Sequence, residues 1–403
     1  MTREEVYTEC LTKLEKSDFL LLELATGFGK TRNAILLINH LVETKYQGKH
    51  TSMLLLVAKT VHKQTWKDEF KKWGGINVDE LTIECYESLK KHEYESFDFV
   101  VMDECHHLHS DKRLDLFSTL TYGNVIGLSA TIPKKLKQYF QYEYAAEVVT
   151  CSIVDAIEDE VLPEPQIILY PLQLDNARPT ESIELNPKAK GKTYYGNYNE
   201  LWKYRKMKVH AIISCTPRQR VNEYNSQILY EKNRYMRTRQ DFLKNKWLFD
   251  CGERIKYLAN LKNNIVLSIL KRLKKERTIT FCKTIEQADI LGKYSIHSKN
   301  KDSDIIYNNF NAKKINHIVS VNVLNEGANL IDCKYAVFAN YSSSEICSAQ
   351  RVGRALRHKS PVIILPYYEA TREEEIVNTM IESFKEESIH TIHSLKELDK
   401  FIQ

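Results

Sequence analysis

The run Phe19-Leu20-Leu21-Leu22-Glu23-Leu24 leads directly into Ala25-Thr26-Gly27-Phe28-Gly29-Lys30-Thr31, and an amphipathic stretch, Arg32–Val42, follows. An apolar run this short and this continuous reads as a strand buried on both faces, as in parallel sheets covered by helices. Strand, glycine loop and helix in that order form a phosphate cradle: glycine lets backbone amides turn toward oxygen, and the positive end of the helix adds to them. In such a loop Thr26, Gly27, Phe28 and Gly29 make the turn, Lys30 reaches the β and γ phosphates of a nucleotide and Thr31 holds Mg²⁺. The spacing is the short G-x-G-K-T form, which an ordinary helix start also produces, so a second motif has to support it.

That motif is Phe99-Val100-Val101-Met102-Asp103-Glu104, an apolar strand ending in two adjacent carboxylates. Asp103 is the expected Mg²⁺ ligand, and Glu104 the group that orients the water attacking a γ phosphate. Cys105, His106 and His107 follow at once, but no second ligand pair stands at zinc spacing, so a zinc site is not expected.

Similar runs recur at Met53–Ala58 and Val125–Leu128 and, beyond residue 165, at Gln166–Leu172, Thr278–Phe281, His317–Val321, Tyr335–Asn340 and Pro361–Pro366. Helix-length spacers separate them, so the chain reads as α/β with two parallel-sheet domains in tandem, 1–160 and 161–403. Ser152–Pro165 is acidic and carries Pro163 and Pro165, which suits a connector. The stretch 181–273 is expected to be a basic, helical segment at the start of the second domain, and the tail after residue 366 is expected to be helical.

With 43% hydrophobic and 28% charged residues and only 13 Gly and 9 Pro in 403, the composition is that of a packed globular protein. Its apolar runs fall far short of the roughly 20 residues a membrane span needs, and the acidic start Met1-Thr2-Arg3-Glu4-Glu5 does not resemble a secretory signal. The expectation is a monomer acting in the cytoplasm, that of the host if the source is viral. Nine cysteines without a C-x-x-C pair do not suggest a disulfide framework. Net charge is +5, but residues 181–250 hold 15 Lys or Arg against 7 Asp or Glu, together with seven tyrosines. Cations alternating with rings suit phosphates and bases, although the same pattern also makes a solvated helix face. Lys203, Arg205, Lys206 and Lys208 are the candidate contacts.

Asp103-Glu104-Cys105-His106 resembles the D-E-x-H box of superfamily 2 helicases and translocases, and the glycine loop resembles their first motif. Other motifs of that family stand in order. Val57-Ala58-Lys59-Thr60, with Gln64 and Trp66 beyond, resembles a segment that touches nucleic-acid phosphates, and Cys85-Tyr86-Glu87-Ser88-Leu89 resembles the T-Y-x-S-L track element. Ser129-Ala130-Thr131 matches the S-A-T motif that couples hydrolysis to movement, and Ser152–Pro165 is similar to the interdomain connector. Thr280-Phe281-Cys282-Lys283-Thr284 and His297-Ser298-Lys299 resemble the fourth motif and the segment after it. Val323–Asn329 resembles the fifth motif, with Gly327 and Asn329 near the nucleotide. Gln350-Arg351-Val352-Gly353-Arg354-Ala355-Leu356-Arg357 matches Q-x-x-G-R-x-x-R at every defined position. Arg354 and Arg357 share a helix face, and as arginine fingers they would act on a γ phosphate held by the other domain.

The resemblance spans residues 3–366 and implies two RecA-like domains, ATP and Mg²⁺ between them, and a nucleic-acid strand along their upper edge. Catalytic roles fall on Glu104, Gln350, Arg354 and Arg357, and nucleic-acid contacts on Lys59, Thr60, Tyr86, Ser88 and Lys283. Two departures matter. Val6 stands where relatives carry an adenine-reading glutamine, and neither a D-E-A-D box nor an R-G-x-D fifth motif is present. DNA is therefore favoured over RNA, with branch migration, repair or recombination as the implied setting. RNA unwinding, or a nucleic-acid binding or annealing protein with a partner-dependent motor, is the alternative.

Overall fold

A computed structural model describes residues 1–47, 49–321, 330–341, 358–382 and 384–402. The first domain starts with α1 (Arg3–Leu14), whose first turn is closed by a reciprocal Thr2–Glu5 capping box. There follow β1 (Phe19–Leu24), α2 (Lys30–Leu41), β2 (Ser52–Val57), α3 (Thr60–Lys72), β3 (Glu80–Cys85), β4 (Ser96–Asp103), α4 (Asp111–Ser118), β5 (Thr121–Ser129), α5 (Lys134–Tyr144) and β6 (Glu147–Cys151). The strands form a parallel sheet in the order β3-β2-β4-β5-β1-β6. Alternation along each strand divides its side chains between two cores. Leu20, Leu22, Leu55 and Val101 face one layer, and Phe19, Leu21, Leu54 and Val100 face the other. Each such side chain stabilises the sheet by about 1.5–3 kcal/mol when fully buried, and both faces are used, so the register is fixed from two sides.

The connector contains a short helix, α6 (Ile153–Glu158), started by a Ser152–Asp155 capping box. Ala156, Ile157 and Leu162 carry the apolar core of the first domain on into that of the second. There, β7 (Gln166–Leu172) enters a second parallel sheet. It is completed, beyond an insertion, by β11 (Thr278–Phe281), β12 (Ser295–Ile296), β13 (His317–Ser320), β14 (Tyr335–Phe338), β15 (Val362–Tyr368) and β16 (Ile389–Thr391). Their order is β12-β13-β11-β14-β15-β7-β16. Both sheets are of the tandem RecA-like kind expected from sequence.

Three expectations are corrected. The stretch 181–273 is not helical throughout: β8 (Glu181–Leu185), β9 (Tyr194–Asn197) and β10 (Ala211–Cys215) form a separate sheet, ordered β8-β10-β9, with α7 (Leu201–Met207) against it. Its core is small, with Ile183, Leu185, Leu201, Tyr204 and Ile213 buried. Strands of four or five residues give few periods to read, and the surrounding lysines hide them. From Pro217 onward the segment is built of helices. There α8 (Pro217–Thr238) and α9 (Asp241–Leu261) pair through Tyr235 stacked on Trp247 at 6.1 Å and Arg254 donating to Asn225 at 2.6 Å. α10 (Asn263–Arg272) then returns the chain to the sheet.

The second correction concerns the tail after residue 366, which is not wholly helical, because β16 adds a strand beside β7. Third, the half-polar edge strands β3 and β6 escape a search for continuous apolar runs. Among the described residues no helix is long and apolar enough to cross a membrane.

Candidate active site

The phosphate loop lies between β1 and α2, at the carboxyl edge of the first sheet, where open α/β folds place their ligands. Gly27 and Gly29 have φ of 99° and 108°, a region closed to most side chains, and Gly29 is the N-cap of α2. Phe28, between them, is fully buried and anchors the loop in the core. Arg3 Nε donates to the Phe28 carbonyl at 3.0 Å, so α1 braces the loop from behind. Lys30 Nζ donates to the Leu24 carbonyl at 3.0 Å, which folds the ammonium back over the turn. Thr26 is buried, and Thr31 stands half-buried in the first turn of α2.

Across the strand β5, β4 delivers the two carboxylates. Asp103 is held twice: Trp66 Nε1 donates to its Oδ2 at 2.9 Å, and the Tyr86 hydroxyl donates to its carbonyl at 2.8 Å. Glu104 follows with φ of 52°, a left-handed conformation costing a non-glycine residue on the order of 1 kcal/mol or more. Its side chain is buried, and Oε2 accepts no hydrogen bond from the described residues. His106 Nδ1 lies 3.4 Å from that oxygen but is engaged at 3.0 Å with Ser129 Oγ. A buried carboxylate oxygen without a protein donor is suited to receive a hydrogen bond from water. Cys105, fully buried beside these acids, has its thiol pushed far up by desolvation and is inert as a nucleophile or ligand.

The Ser129-Ala130-Thr131 turn leaves the end of β5 between the two motifs. Ser129 Oγ donates to the Thr131 carbonyl at 2.8 Å, so one hydroxyl joins this turn to His106. Glu23 of β1, the register partner of Ser129, accepts from the Ile132 amide at 2.7 Å. The three strand ends are thus cross-linked by side chains. Glu23 was not singled out in the sequence; its partners, the Ile132 amide and the Lys137 ammonium, lie 109 and 114 positions away, which leaves no pattern to read.

Thr31 and Asp103 are hard oxygen donors, and no cluster of three His, Cys, Asp or Glu side chains able to hold a metal occurs among the described residues. That set fits Mg²⁺, which keeps most of its shell as water and phosphate oxygen.

Of the expected nucleic-acid contacts, Lys59 is the N-cap of α3 and Thr60 its exposed first residue, with Thr60 Oγ1 3.7 Å from Cys85 Sγ. Ser88 is half-buried, whereas Tyr86 is 1% exposed and stacks on His107, so it acts inside the domain and offers no ring to a base. Lys283 follows β11 at the carboxyl edge of the second sheet. Lys203, Lys206 and Lys208 are exposed around α7, while Arg205 pairs with the buried Glu223 of α8. Gly327, Asn329, Gln350, Arg354 and Arg357 lie outside the described residues.

Two family models match the chain in tandem: "Type III restriction enzyme, res subunit" over residues 2–134 and "Helicase conserved C-terminal domain" over residues 261–359. A protein of African swine fever virus, named for ATP-dependent RNA helicase activity, is 30% identical over 131 residues. The match takes in 27% of this chain and 24% of the viral protein. Among solved structures, S. cerevisiae Dbp5 bound to RNA and ADP BeF3 aligns with TM-score 0.59 at 12% identity, over 99% of this chain and 92% of that one. The ATP-dependent Type ISP restriction-modification enzyme LlaBIII bound to DNA aligns with TM-score 0.56 at 14% identity, over all of this chain and 32% of that one. At these identities the two structures speak for the fold alone. With both family models in their proper order on two RecA-like domains, the chain carries the paired motor domains of the superfamily 2 helicases.

Proposed function

We propose that this chain is an ATP- and Mg²⁺-dependent DNA helicase or translocase. The observation that carries the reading is the convergence of the Lys30 loop, the Asp103–Glu104 pair and the His106–Ser129 contact on one sheet edge. Lys30 binds the β and γ phosphates, and Glu104 orients a water against the γ phosphorus and takes its proton. Thr31 and Asp103 would hold Mg²⁺, which would supply charge neutralisation at the phosphate oxygens. Arg354 and Arg357 complete the site from the second domain, so that hydrolysis requires closure and reopening shifts the bound strand. Lys59, Thr60 and Lys283 contact that strand at the edges of the two sheets, and the basic insertion with Lys203, Lys206 and Lys208 holds the flanking nucleic acid.

DNA is favoured because the D-E-C-H box and the fifth motif depart from the RNA-specific D-E-A-D pattern. RNA unwinding is the second reading, favoured by the name of the viral relative. Motor contacts to phosphate and sugar carry little base information, so the substrate has to be measured. Steady-state ATP hydrolysis without polymer, and with single-stranded, duplex or four-way DNA or RNA, separates the readings. DNA stimulation, strongest on branched forms, is expected. Stimulation by RNA alone would replace the DNA reading, and no stimulation by any polymer would replace the motor with a passive binder.

A further inference from the structure

We propose that Trp66 is a positioning residue, through which α3 couples nucleic-acid occupancy at its N-terminus to the metal-holding carboxylate Asp103. The proposal rests on the reading above and names the residue that carries the coupling.

Trp66 is 2% exposed, and its indole nitrogen donates to Asp103 Oδ2 at 2.9 Å. Packing alone does not call for this. Phe70, one turn on and 5.6 Å from the indole ring, fills the same core without a polar atom. An indole N–H is a neutral donor with no acceptor capacity, so it orients the carboxylate while leaving its charge in place for a cation. Partners of this kind, behind a metal ligand, set its geometry and basicity.

The rest of α3 explains what the orientation is coupled to. Its N-cap and first residue are Lys59 and Thr60, the expected strand contacts, and Trp66 stands six residues on, about 9 Å along a rigid helix. At its other end Trp73 lies under the Arg32 guanidinium at 4.9 Å, and Arg32 is in the first turn of the phosphate-loop helix α2. One helix therefore touches the strand track, the Asp103 carboxylate and α2. Lys63 pairs with Glu84 at 2.9 Å near the end of β3, and Tyr86, just beyond that strand, holds the Asp103 carbonyl. A load on Lys59 and Thr60 that shifts α3 would change the aim of Asp103 directly.

The test uses Trp66→Phe, which keeps an aromatic ring and removes the donor, with Phe70→Leu as the packing control. Mn²⁺ binding in the presence of ADP is followed by electron paramagnetic resonance, with and without a single-stranded DNA oligonucleotide or an RNA of the same sequence. ATP turnover is measured in parallel. In the parent protein the oligonucleotide is expected to tighten Mn²⁺ binding and raise turnover. Trp66→Phe should weaken Mn²⁺ binding about tenfold and bring the oligonucleotide effect to within twofold of none, while Phe70→Leu retains that effect. A full oligonucleotide response in Trp66→Phe would overturn the proposal, as would equal losses in both variants. If the parent protein responds to neither polymer, the proposal and the functional reading fall together; a responsive parent with a responsive Trp66→Phe removes the proposal alone.

Discussion

Glu104 combines three properties that rarely meet in one side chain: left-handed backbone, burial, and a carboxylate oxygen with no hydrogen-bond donor among the described residues. Each is unfavourable for folding, and an attacking water would make use of all three, because strain and an unsatisfied acceptor persist where function needs them. Glu104→Gln keeps the shape and loses the proton acceptor. Its expected outcome is ATP turnover lowered by at least about 100-fold with nucleotide affinity within a few-fold of the parent, read by steady-state hydrolysis and calorimetric titration. Lys30→Ala should lower both, since in the proposed reaction the ammonium would contact ground state and transition state alike. Near-parental turnover in Glu104→Gln would assign the water to another residue. At this scale the sequence was informative for the loop and the acidic pair, whose chemistry depends on adjacency in the chain. It was silent on Glu23 and gave no partner for Trp66 or Arg3, because the groups that Trp66, Arg3 and Glu23 touch lie 37, 25 and 109 positions away and are brought close only by the sheet.

At the scale of elements, the helical pair α8–α9 has to be fixed to the second domain before any force on it can reach the sheet. Lys262, between α9 and α10, is fully buried, donates to Glu373 Oε1 at 2.5 Å and lies 4.6 Å from the Tyr341 ring centre. Glu373 also accepts from the Tyr368 amide at 3.1 Å, at the end of β15. Desolvation lowers the pKa of the Lys262 ammonium, and the Glu373 carboxylate opposes that shift. Lys262→Met leaves Glu373 buried and uncompensated, with an expected loss of about 3–5 kcal/mol in unfolding free energy. Adding Glu373→Gln, which can still accept from Tyr368, should recover much of that loss. Denaturant unfolding of the two single variants and the double variant closes the cycle; purely additive losses would show that the pair is not coupled. Continuous strands such as β1, β7 and β11 were legible because burial on both faces makes them apolar throughout. The insertion was not, because its strands are short and its two long helices are joined by charged pairs such as Glu231 of α8 with Lys246 of α9 at 3.7 Å, which look solvated in sequence.

Over the whole molecule, the charge is unevenly placed: a net +8 in residues 181–250 and −3 in all the rest. A polyanion would therefore be drawn to the insertion before it meets the motor edge. The structure also narrows which cations can serve, since Arg205 is tied to the buried Glu223 while Lys203, Lys206 and Lys208 remain exposed on and just beyond α7. Reversing these three to Glu removes up to three phosphate contacts, which should reduce the slope of log affinity against log salt by about 2 for single-stranded or duplex DNA. The check is fluorescence anisotropy with a labelled oligonucleotide between about 50 and 200 mM salt, because counterion release is resolved across that range. Arg205→Glu belongs in the same series as a contrast. It places a carboxylate against Glu223, so it should lower stability more than it changes the slope. An unchanged slope in the triple reversal would make the excess charge a solvated surface and leave strand contact to Lys59, Thr60 and Lys283. A reduced slope with unaltered polymer-free hydrolysis would make the insertion the part that holds nucleic acid while the two sheets move along it.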